Sequence, residues 1–248
     1  MIRRFVMGTI LTVRIEGEDS GRMERLFADE VQRLEELLSI YRTSSEITRI
    51  NRAAGIAPVR VSTETYTVIE EALHYAALSS GTFDPTAGSS ADYHKVLLNP
   101  DNRTVFLEAL GMRLDLGGIG KGFALDRALA RVREAGAIES VSADFGGQLF
   151  FWHKDGSFAP ETILIEDRQP FTFQIDTNGS ISTSSNAERP GHLLDPRSGR
   201  PAEGVDSVTV SAPTSTQAEA LSTAVFIMGK EAGEAWLSQF PGVRAFIF

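Results

Sequence analysis

The residues with the clearest chemical potential lie in one glycine-rich segment, residues 114–126, which read LDLGGIGKGFALD. The segment begins as a short apolar strand, turns through four glycines and enters a helix. Glycine lets the backbone reach positive φ and lets a ligand approach the peptide groups closely. Free N–H groups at a helix start favour an anion, and Lys121 adds a positive charge at the same place. The segment therefore predicts a site for a polyanion, and a diphosphate fits best.

Two familiar nucleotide-binding motifs are excluded by the spacing of these glycines. A Walker A loop would need glycine at Asp115 and serine or threonine at Gly122. A dinucleotide-binding fingerprint would need glycine at Phe123. The alternative to a ligand site is an ordinary glycine-rich turn with a solvated lysine, since such turns commonly separate elements.

A second candidate lies near the start of the last main helix, where Glu219 and Thr223 are four residues apart. That spacing puts both side chains on one face of the helix. A carboxylate and a hydroxyl are hard oxygen ligands that suit Mg²⁺, which usually keeps some waters and shares the phosphates of a substrate. The alternative is a solvated acid beside an ordinary helix threonine. A diphosphate at the glycine-rich segment favours the metal, because such a site usually has a metal beside it.

A few other side chains have the chemistry to contact a substrate. His192 lies at a strand-to-turn junction, where a neutral imidazole could act as general base toward a hydroxyl group. Tyr41 and Phe83-Asp84 lie beside turns, where an aromatic ring can stack on a flat ring and a carboxylate can accept hydrogen bonds. The alternatives are a structural histidine, core aromatic residues and a turn cap.

The composition of the chain limits the classes of protein. Its 248 residues suit one large domain or two lobes that share a core, and 42% apolar residues are enough for that core. A formal net charge of −9 argues against binding nucleic acid. The sequence has no cysteine, which excludes disulfides, thiolate metal sites and cysteine nucleophiles. No stretch is long enough to span a bilayer and no signal peptide is visible, so we expect a cytoplasmic protein, or a periplasmic one if a leader was removed.

Hydrophobic periodicity predicts helices and strands in irregular alternation. Helices are predicted from about residue 19 to 41, from 62 to 81, from the glycine-rich segment to 136, and from 215 or 216 to 229. Residues 105–107 and 112–116 are expected to pair as strands, and residues 88–102 to be irregular. This order is not the regular alternation of a doubly wound parallel sheet. We therefore expect an α+β fold with mixed or antiparallel sheets, as a single domain over residues 1–248.

Several motifs, taken in chain order, resemble those of the ApbE family, the FAD:protein FMN transferases. The resemblance runs through nearly the whole chain. The matching stretches are Met7-Gly8-Thr9, Tyr41, Ser45-Glu46-Ile47, Ile50-Asn51, residues 81–86 (GTFDPT), residues 114–126, Gly146-Gly147, Thr183-Ser184, residues 192–201 and residues 218–224.

The resemblance implies an ApbE-like, T-fold-related unit with a flavin cleft. Members of the family bind FAD with Mg²⁺, transfer its FMN moiety to a threonine hydroxyl of a target protein, and release AMP. Their targets are usually subunits of membrane redox complexes or flavin-carrying reductase domains. An acceptor flavoprotein of this kind is therefore the expected partner, with FAD as the substrate.

The resemblance also implies roles for individual residues. Lys121 would hold the diphosphate, and His192 would deprotonate the acceptor threonine. The metal ligands would be the backbone carbonyls of Gly118 and Ser222 and the side chains of Glu219 and Thr223. The FAD site would be lined by Met7, Tyr41, Thr82, Phe83, Asp84, Asp115 and Leu193.

The chain departs from the family pattern at several positions, two of which bear on the metal and the cleft. The family usually has aspartate at Glu219, so the carboxylate here moves by about one bond length, and Mg²⁺ is strict about its octahedral geometry. The family motif Asn-x-Gly-Gly-Asp corresponds to residues 144–148 of this chain. Here Asp144 replaces the asparagine and Gln148 replaces the aspartate, which changes the charge near the cleft. Three interpretations follow: a flavin transferase, an FAD pyrophosphatase in which water replaces threonine, and a non-catalytic FAD-binding protein.

Overall fold

Helices and strands alternate irregularly along the chain, and the structure has the expected α+β fold with antiparallel sheets. The computed structural model describes residues 1–87, 89, 92–165, 171–186 and 193–248. Its helices are α1 (Ser20–Leu38), α2 (Glu46–Arg52), α3 (Thr63–Leu78), α4 (Gly120–Ala135), α5 (Ser215–Met228) and α6 (Lys230–Leu237). Its strands are β1 (Ile2–Val6), β2 (Thr9–Gly17), β3 (Val59–Arg60), β4 (Val96–Asn99), β5 (Thr104–Leu107), β6 (Ile138–Phe145), β7 (Gln148–His153), β8 (Ser157–Ile165), β9 (Phe171–Thr177), β10 (Gly179–Ser185), β11 (Leu194–Asp195), β12 (Arg200–Pro201), β13 (Ser207–Ala212) and β14 (Arg244–Ile247).

A seven-stranded sheet forms the centre of the fold, with the strand order β1-β2-β6-β7-β10-β13-β14. Each neighbouring pair in it is antiparallel. Side chains alternate along β2, where Leu11, Val13 and Ile15 are buried while Arg14 and Glu16 are exposed. This period of two is typical of a strand that packs on the core through one face and meets solvent on the other.

Helices α1, α4 and α5 cover the apolar face of the sheet. The first of them buries Phe27, Val31 and Leu34, whose spacing of four and three residues forms one helical stripe. The second packs against both of the others. Helix α5 is buried along nearly its whole length, as expected of a helix that is apolar on every side. In the described parts of the chain, no helix is both long and apolar enough to cross a membrane.

An aromatic cluster lies on the opposite face of the sheet, under the hairpin of β8 and β9. Phe171 and Phe173 of β9 contact Phe246 of β14, with ring centroids 4.6 and 4.9 Å apart. Phe173 and Ile175 also pack on Ile181 of β10. The hairpin thus covers the β7-to-β14 half of this face.

Two predictions about strands are wrong. Residues 112–116 are not a strand, and β5 pairs instead with β3 and β4 in a separate three-stranded sheet. Residues 88–102, expected to be irregular, contain β4. Helix ends also differ slightly from the prediction: α1 ends at Leu38, and Thr214 rather than Ser215 or Thr216 is the residue that caps α5.

The N-terminal ends of α4 and α5 lie in direct contact. The position that a Cβ atom would take at Gly122 is 2.2 Å from the carbonyl oxygen of Ser215, so only glycine fits there. The buried Gln148 donates a hydrogen bond from Nε2 to the same carbonyl at 2.8 Å. Asp126 of α4 accepts hydrogen bonds from the backbone N–H groups of Ser215 and Thr216, at 3.0 and 2.8 Å. Together these contacts form what we term the helix junction: Gly122, Asp126, Gln148, Ser215 and Thr216.

We predict that Gly122→Ala destabilises the fold while Gly120→Ala, two residues earlier in the same turn, does not. A methyl group at position 122 must push backbone apart, which typically costs about 1–3 kcal/mol or more. At position 120 the nearest atom, Leu116 Cβ, is 3.8 Å from the new carbon, which is an ordinary contact. Denaturant unfolding of both variants measures the difference. Equal stability of the two would show that the junction is not tightly packed.

Candidate active site

The glycine-rich segment is held in place by a side chain far away in sequence. Asn51 Nδ2 donates to the carbonyl oxygen of Leu114 at 2.9 Å, and the Leu114 N–H donates to Asn51 Oδ1 at 2.7 Å. The next residue, Asp115, donates from its N–H to the carbonyl oxygen of Pro85 at 2.8 Å. Asp115 Oδ1 in turn accepts from the Gly117 N–H at 2.9 Å. The start of the segment, residues 114–117, is thus held by hydrogen bonds without belonging to a sheet.

Three of the predicted site residues meet at Gly118. The position of a Cβ atom at Gly118 would be 3.1 Å from Phe83 Cε2 and 3.2 Å from Thr223 Oγ1. Both of these side chains are buried, with 4% and 8% of their surface exposed. The absence of a side chain at Gly118 therefore lets the backbone of the glycine-rich segment lie directly against α5.

The sequence predicted a diphosphate at the first turn of α4, and in this structure a carboxylate of the protein itself lies there. Glu219 Oε2 accepts a hydrogen bond from the Gly122 N–H at 2.8 Å. Glu219 Oε1 forms an ion pair with Lys121 Nζ. The Glu219 side chain is 4% exposed and that of Lys121 is 27% exposed. Lys121 and Glu219, which the sequence assigned to different ligands, are thus partners in this structure.

Ser222 is the most deeply buried of the predicted metal ligands. Its hydroxyl contacts the hydroxyl groups of Ser184 and Ser182 on β10, at 3.0 and 3.3 Å, and donates to the Glu219 carbonyl oxygen at 3.0 Å. These bonds attach α5 to the sheet one turn away from the Glu219 carboxylate.

Asp84 and Thr82 lie in the loop that carries Phe83 to the site. Asp84 accepts hydrogen bonds from the N–H and hydroxyl of Thr86, both at 2.7 Å, and from the Tyr93 N–H at 3.2 Å. Burial raises the pKa of Asp84, and these hydrogen bonds offset part of the effect. Thr82 is 6% exposed. The Asp84 carboxylate therefore shapes the loop as well as carrying charge.

The remaining predicted residues lie on other elements. Met7 is at the β1–β2 turn with φ of 49°, and its N–H donates to Glu35 Oε1 at 3.1 Å. Tyr41 follows α1 and is 88% exposed. Leu193 accepts a hydrogen bond from the Ala202 N–H at 2.8 Å through its carbonyl oxygen. His192, the predicted general base, lies outside the described residues.

Two positioning groups were not assigned a role from the sequence. Asn51 was recognised only as part of a motif, and its bonds to Leu114 depend on a contact between residues 63 positions apart. Asp126 was recognised only as the end of the glycine-rich segment. Burial raises its pKa, and the hydrogen bonds from Thr216 and Ser215 counteract this. The hydrogen bonds of Asp126 join residues about 90 positions apart, so they become visible only in the folded chain.

The donor set at Gly118, Glu219 and Thr223 fits Mg²⁺. It offers one carboxylate, one hydroxyl and one backbone carbonyl, which are all hard oxygen ligands. Mg²⁺ is commonly held by one or two carboxylates plus substrate phosphates rather than by an all-protein cage. The described residues contain no group of three or more His, Cys, Asp and Glu side chains that could hold a metal ion. The site would be completed by a phosphate-bearing substrate.

Comparison with known proteins agrees with the fold. The sequence model of the ApbE family matches residues 7–92 and 89–247. A Treponema pallidum protein named FAD:protein FMN transferase is 32% identical, over 98% of this chain and 83% of that protein. A Klebsiella pneumoniae protein of the same name is 30% identical, over 97% of this chain and 86% of its own length. The chain belongs to the ApbE family.

Solved structures show the same fold. The ApbE protein of Thermotoga maritima superposes with a TM-score of 0.88 at 28% identity, covering 99% of this chain and 93% of that one. The flavin transferase ApbE from Vibrio cholerae has a TM-score of 0.85 at 24% identity, covering 99% and 92% of the two chains. At the latter identity the likeness concerns the fold alone.

We predict that Asn51→Ala lowers the free energy of unfolding by about 1–3 kcal/mol, because it removes two hydrogen bonds and leaves both backbone groups of Leu114 without a partner. The matched control is Asn102→Ala, since Asn102 is exposed and accepts a hydrogen bond from the nearby Thr104 hydroxyl at 2.9 Å. The control should change stability by less than about 0.5 kcal/mol. Denaturant titration measures both. An unchanged midpoint for Asn51→Ala would contradict its role in holding the segment.

Proposed function

We propose that this protein transfers the FMN moiety of FAD to a threonine hydroxyl of an acceptor protein, with Mg²⁺, and releases AMP. Membership of the ApbE family supports the reaction class, as does the name FAD:protein FMN transferase of its relatives. The observation that carries the proposal is the grouping of Lys121, Glu219, Gly118 and Thr223 at the start of α4. A cation, a carboxylate and a hydroxyl at a helix N-terminus suit a diphosphate with its metal.

In this proposal the chain binds both the diphosphate of FAD and the metal beside it. Lys121 binds the diphosphate through its ammonium group. The metal is held by the side chains of Glu219 and Thr223 and by the backbone carbonyls of Gly118 and Ser222. When bound, Mg²⁺ neutralises the charge that develops on the phosphate oxygens. The protein supplies the fixed positions of these groups, which cost no reorganisation during the reaction.

Residues around the proposed diphosphate site are assigned to bind the flavin and adenosine parts of FAD. The exposed ring of Tyr41 is available to stack on a flat ring system. Asp84 and Asp115 offer carboxylate oxygens as hydrogen-bond acceptors. The FAD site as a whole is proposed to comprise Met7, Tyr41, Thr82, Phe83, Asp84, Asp115 and Leu193.

His192 is proposed as the general base. Its imidazole takes the proton of the acceptor threonine, whose oxygen then forms a bond to the FMN phosphorus. The bond from that phosphorus to the bridging oxygen breaks, and AMP leaves with the electron pair. The acceptor is proposed to be a redox-complex subunit or a reductase domain, and residues 1–248 to act as a single domain.

The proposal predicts that the native protein releases AMP from FAD and attaches FMN to an acceptor peptide with a Ser/Thr-rich flavinylation motif. Glu219→Gln should lower AMP release more than about 100-fold, because the amide cannot supply the carboxylate charge to the metal. The control is Glu234→Gln, which removes an exposed acid on α6. Chromatography measures AMP, and mass spectrometry of the peptide measures attached FMN.

The same experiment separates the alternatives. AMP release without labelling of the peptide would identify an FAD pyrophosphatase. Saturable FAD binding without AMP release, in the native protein and in Glu219→Asp, would identify a binding protein. If Glu219→Asp alone releases AMP, the longer glutamate side chain has detuned the metal site.

For His192→Ala we predict flavin transfer slower by about 10²–10⁴-fold, because a general base contributes a factor of that size. The affinity for FAD, measured by quenching of flavin fluorescence, should stay unchanged. His74→Ala is the control, because His74 is exposed on α3. A native transfer rate in His192→Ala would remove this residue from the reaction.

A further inference from the structure

The carboxylate of Glu219 has a hydrogen-bonding partner on each of its oxygens. One oxygen accepts from the Gly122 N–H at 2.8 Å, and the other pairs with Lys121. Only 4% of the Glu219 side chain is exposed, and burying an isolated charge to this extent is strongly unfavourable. Lys121 therefore supplies the positive charge that this buried carboxylate requires.

The pairing conflicts with the roles that the proposed function gives the two residues. Mg²⁺ binds a carboxylate oxygen at about 2.1 Å, and Lys121 already contacts Glu219 Oε1. The ammonium group and the metal would therefore lie side by side on one oxygen and repel each other. A diphosphate at Lys121 must likewise compete with Glu219 for the ammonium group. Each ligand therefore has to displace a partner that the protein provides.

The charges of the site favour loading both ligands together. Lys121 and Glu219 neutralise each other in the ligand-free site. Each diester phosphate carries one negative charge, so the diphosphate of a dinucleotide offsets the charge of Mg²⁺. The site is thus neutral with neither ligand and with both, but carries a net charge with only one. Net charge in a largely buried site is disfavoured, so the singly loaded states are the least stable.

We propose that Lys121 acts as a placeholder for the metal: it occupies Oε1 of Glu219 and holds the carboxylate in position until a diphosphate draws its ammonium group away. This inference rests on the proposed function. The Gly122 N–H remains bonded to Oε2, so the carboxylate keeps its direction while Oε1 becomes free. Lys121 is then a positioning residue for the metal ligand as well as a contact for the substrate. Metal and diphosphate bind cooperatively, and each raises the affinity for the other by the same factor.

The first test uses Mg²⁺ alone, titrated calorimetrically into the full chain. Lys121→Met should bind Mg²⁺ about tenfold or more tightly than the native protein, because the competing ammonium is gone. Lys121→Arg keeps a cation on Glu219 and should bind as weakly as the native protein. Lys154→Met is the matched control, because it breaks the exposed ion pair with Glu139. Equal affinity in Lys121→Met and the native protein would overturn the proposal.

The second test removes the charge of Glu219 instead of Lys121 and titrates a diphosphate instead of the metal. It does not depend on Lys121→Met folding. ADP, a diphosphate without flavin, is titrated in the presence of a chelator. Glu219→Gln should bind it about tenfold or more tightly than the native protein, because Lys121 is unpaired while the amide oxygen still accepts from Gly122. Unchanged ADP affinity would overturn the proposal. Neither test uses turnover, so absence of AMP release from FAD would refute the proposed function and leave these two results to decide the placeholder role.

Discussion

Two reciprocal hydrogen-bonded contacts, each between a carboxylate of one helix and the N-terminus of the other, hold the candidate site together. Asp126 of α4 accepts from the N–H groups that begin α5, and Glu219 of α5 accepts from the Gly122 N–H that begins α4. Each carboxylate thereby lies at the partially positive end of the other helix. These two contacts fix α4 and α5 relative to each other. It also explains why glycine is needed at position 122, where the two backbones nearly touch.

Sequence predicted this site best where the relevant geometry is local. Glu219 and Thr223 share a helix face because four residues complete about one turn, and the glycine-rich segment does open a helix. The strand expected at residues 112–116 is wrong for an instructive reason. Its apolar residues are buried as in a strand, but Asn51 supplies the backbone hydrogen bonds that a neighbouring strand would otherwise make. Hydrophobic periodicity indicates which residues are buried, but it does not identify the group that forms hydrogen bonds with their backbone.

The partners of Glu219 lay beyond sequence reasoning for a different reason. Lys121 and Glu219 are separated by 98 residues, and each has its own plausible ligand when considered alone. Only their contact in space shows that the protein already satisfies both charges. Strand β4 was missed although its pairing with β5 is local: a polar turn at residues 100–103 joins the two strands, and Arg103 takes the left-handed conformation there at φ of 52°.

The position of α5 late in the chain has a consequence for synthesis on the ribosome. Strands β1, β2, β6 and β7 are neighbours in the sheet and are all complete by residue 153, so a growing chain can assemble them early. Glu219, Ser222 and Thr223 emerge much later. Until then the start of α4 has no carboxylate partner and the space beside Phe83 and Gly118 lacks its opposite wall. The nascent protein thus acquires four neighbouring strands of its sheet before it makes the residues of α5 that pair with the start of α4.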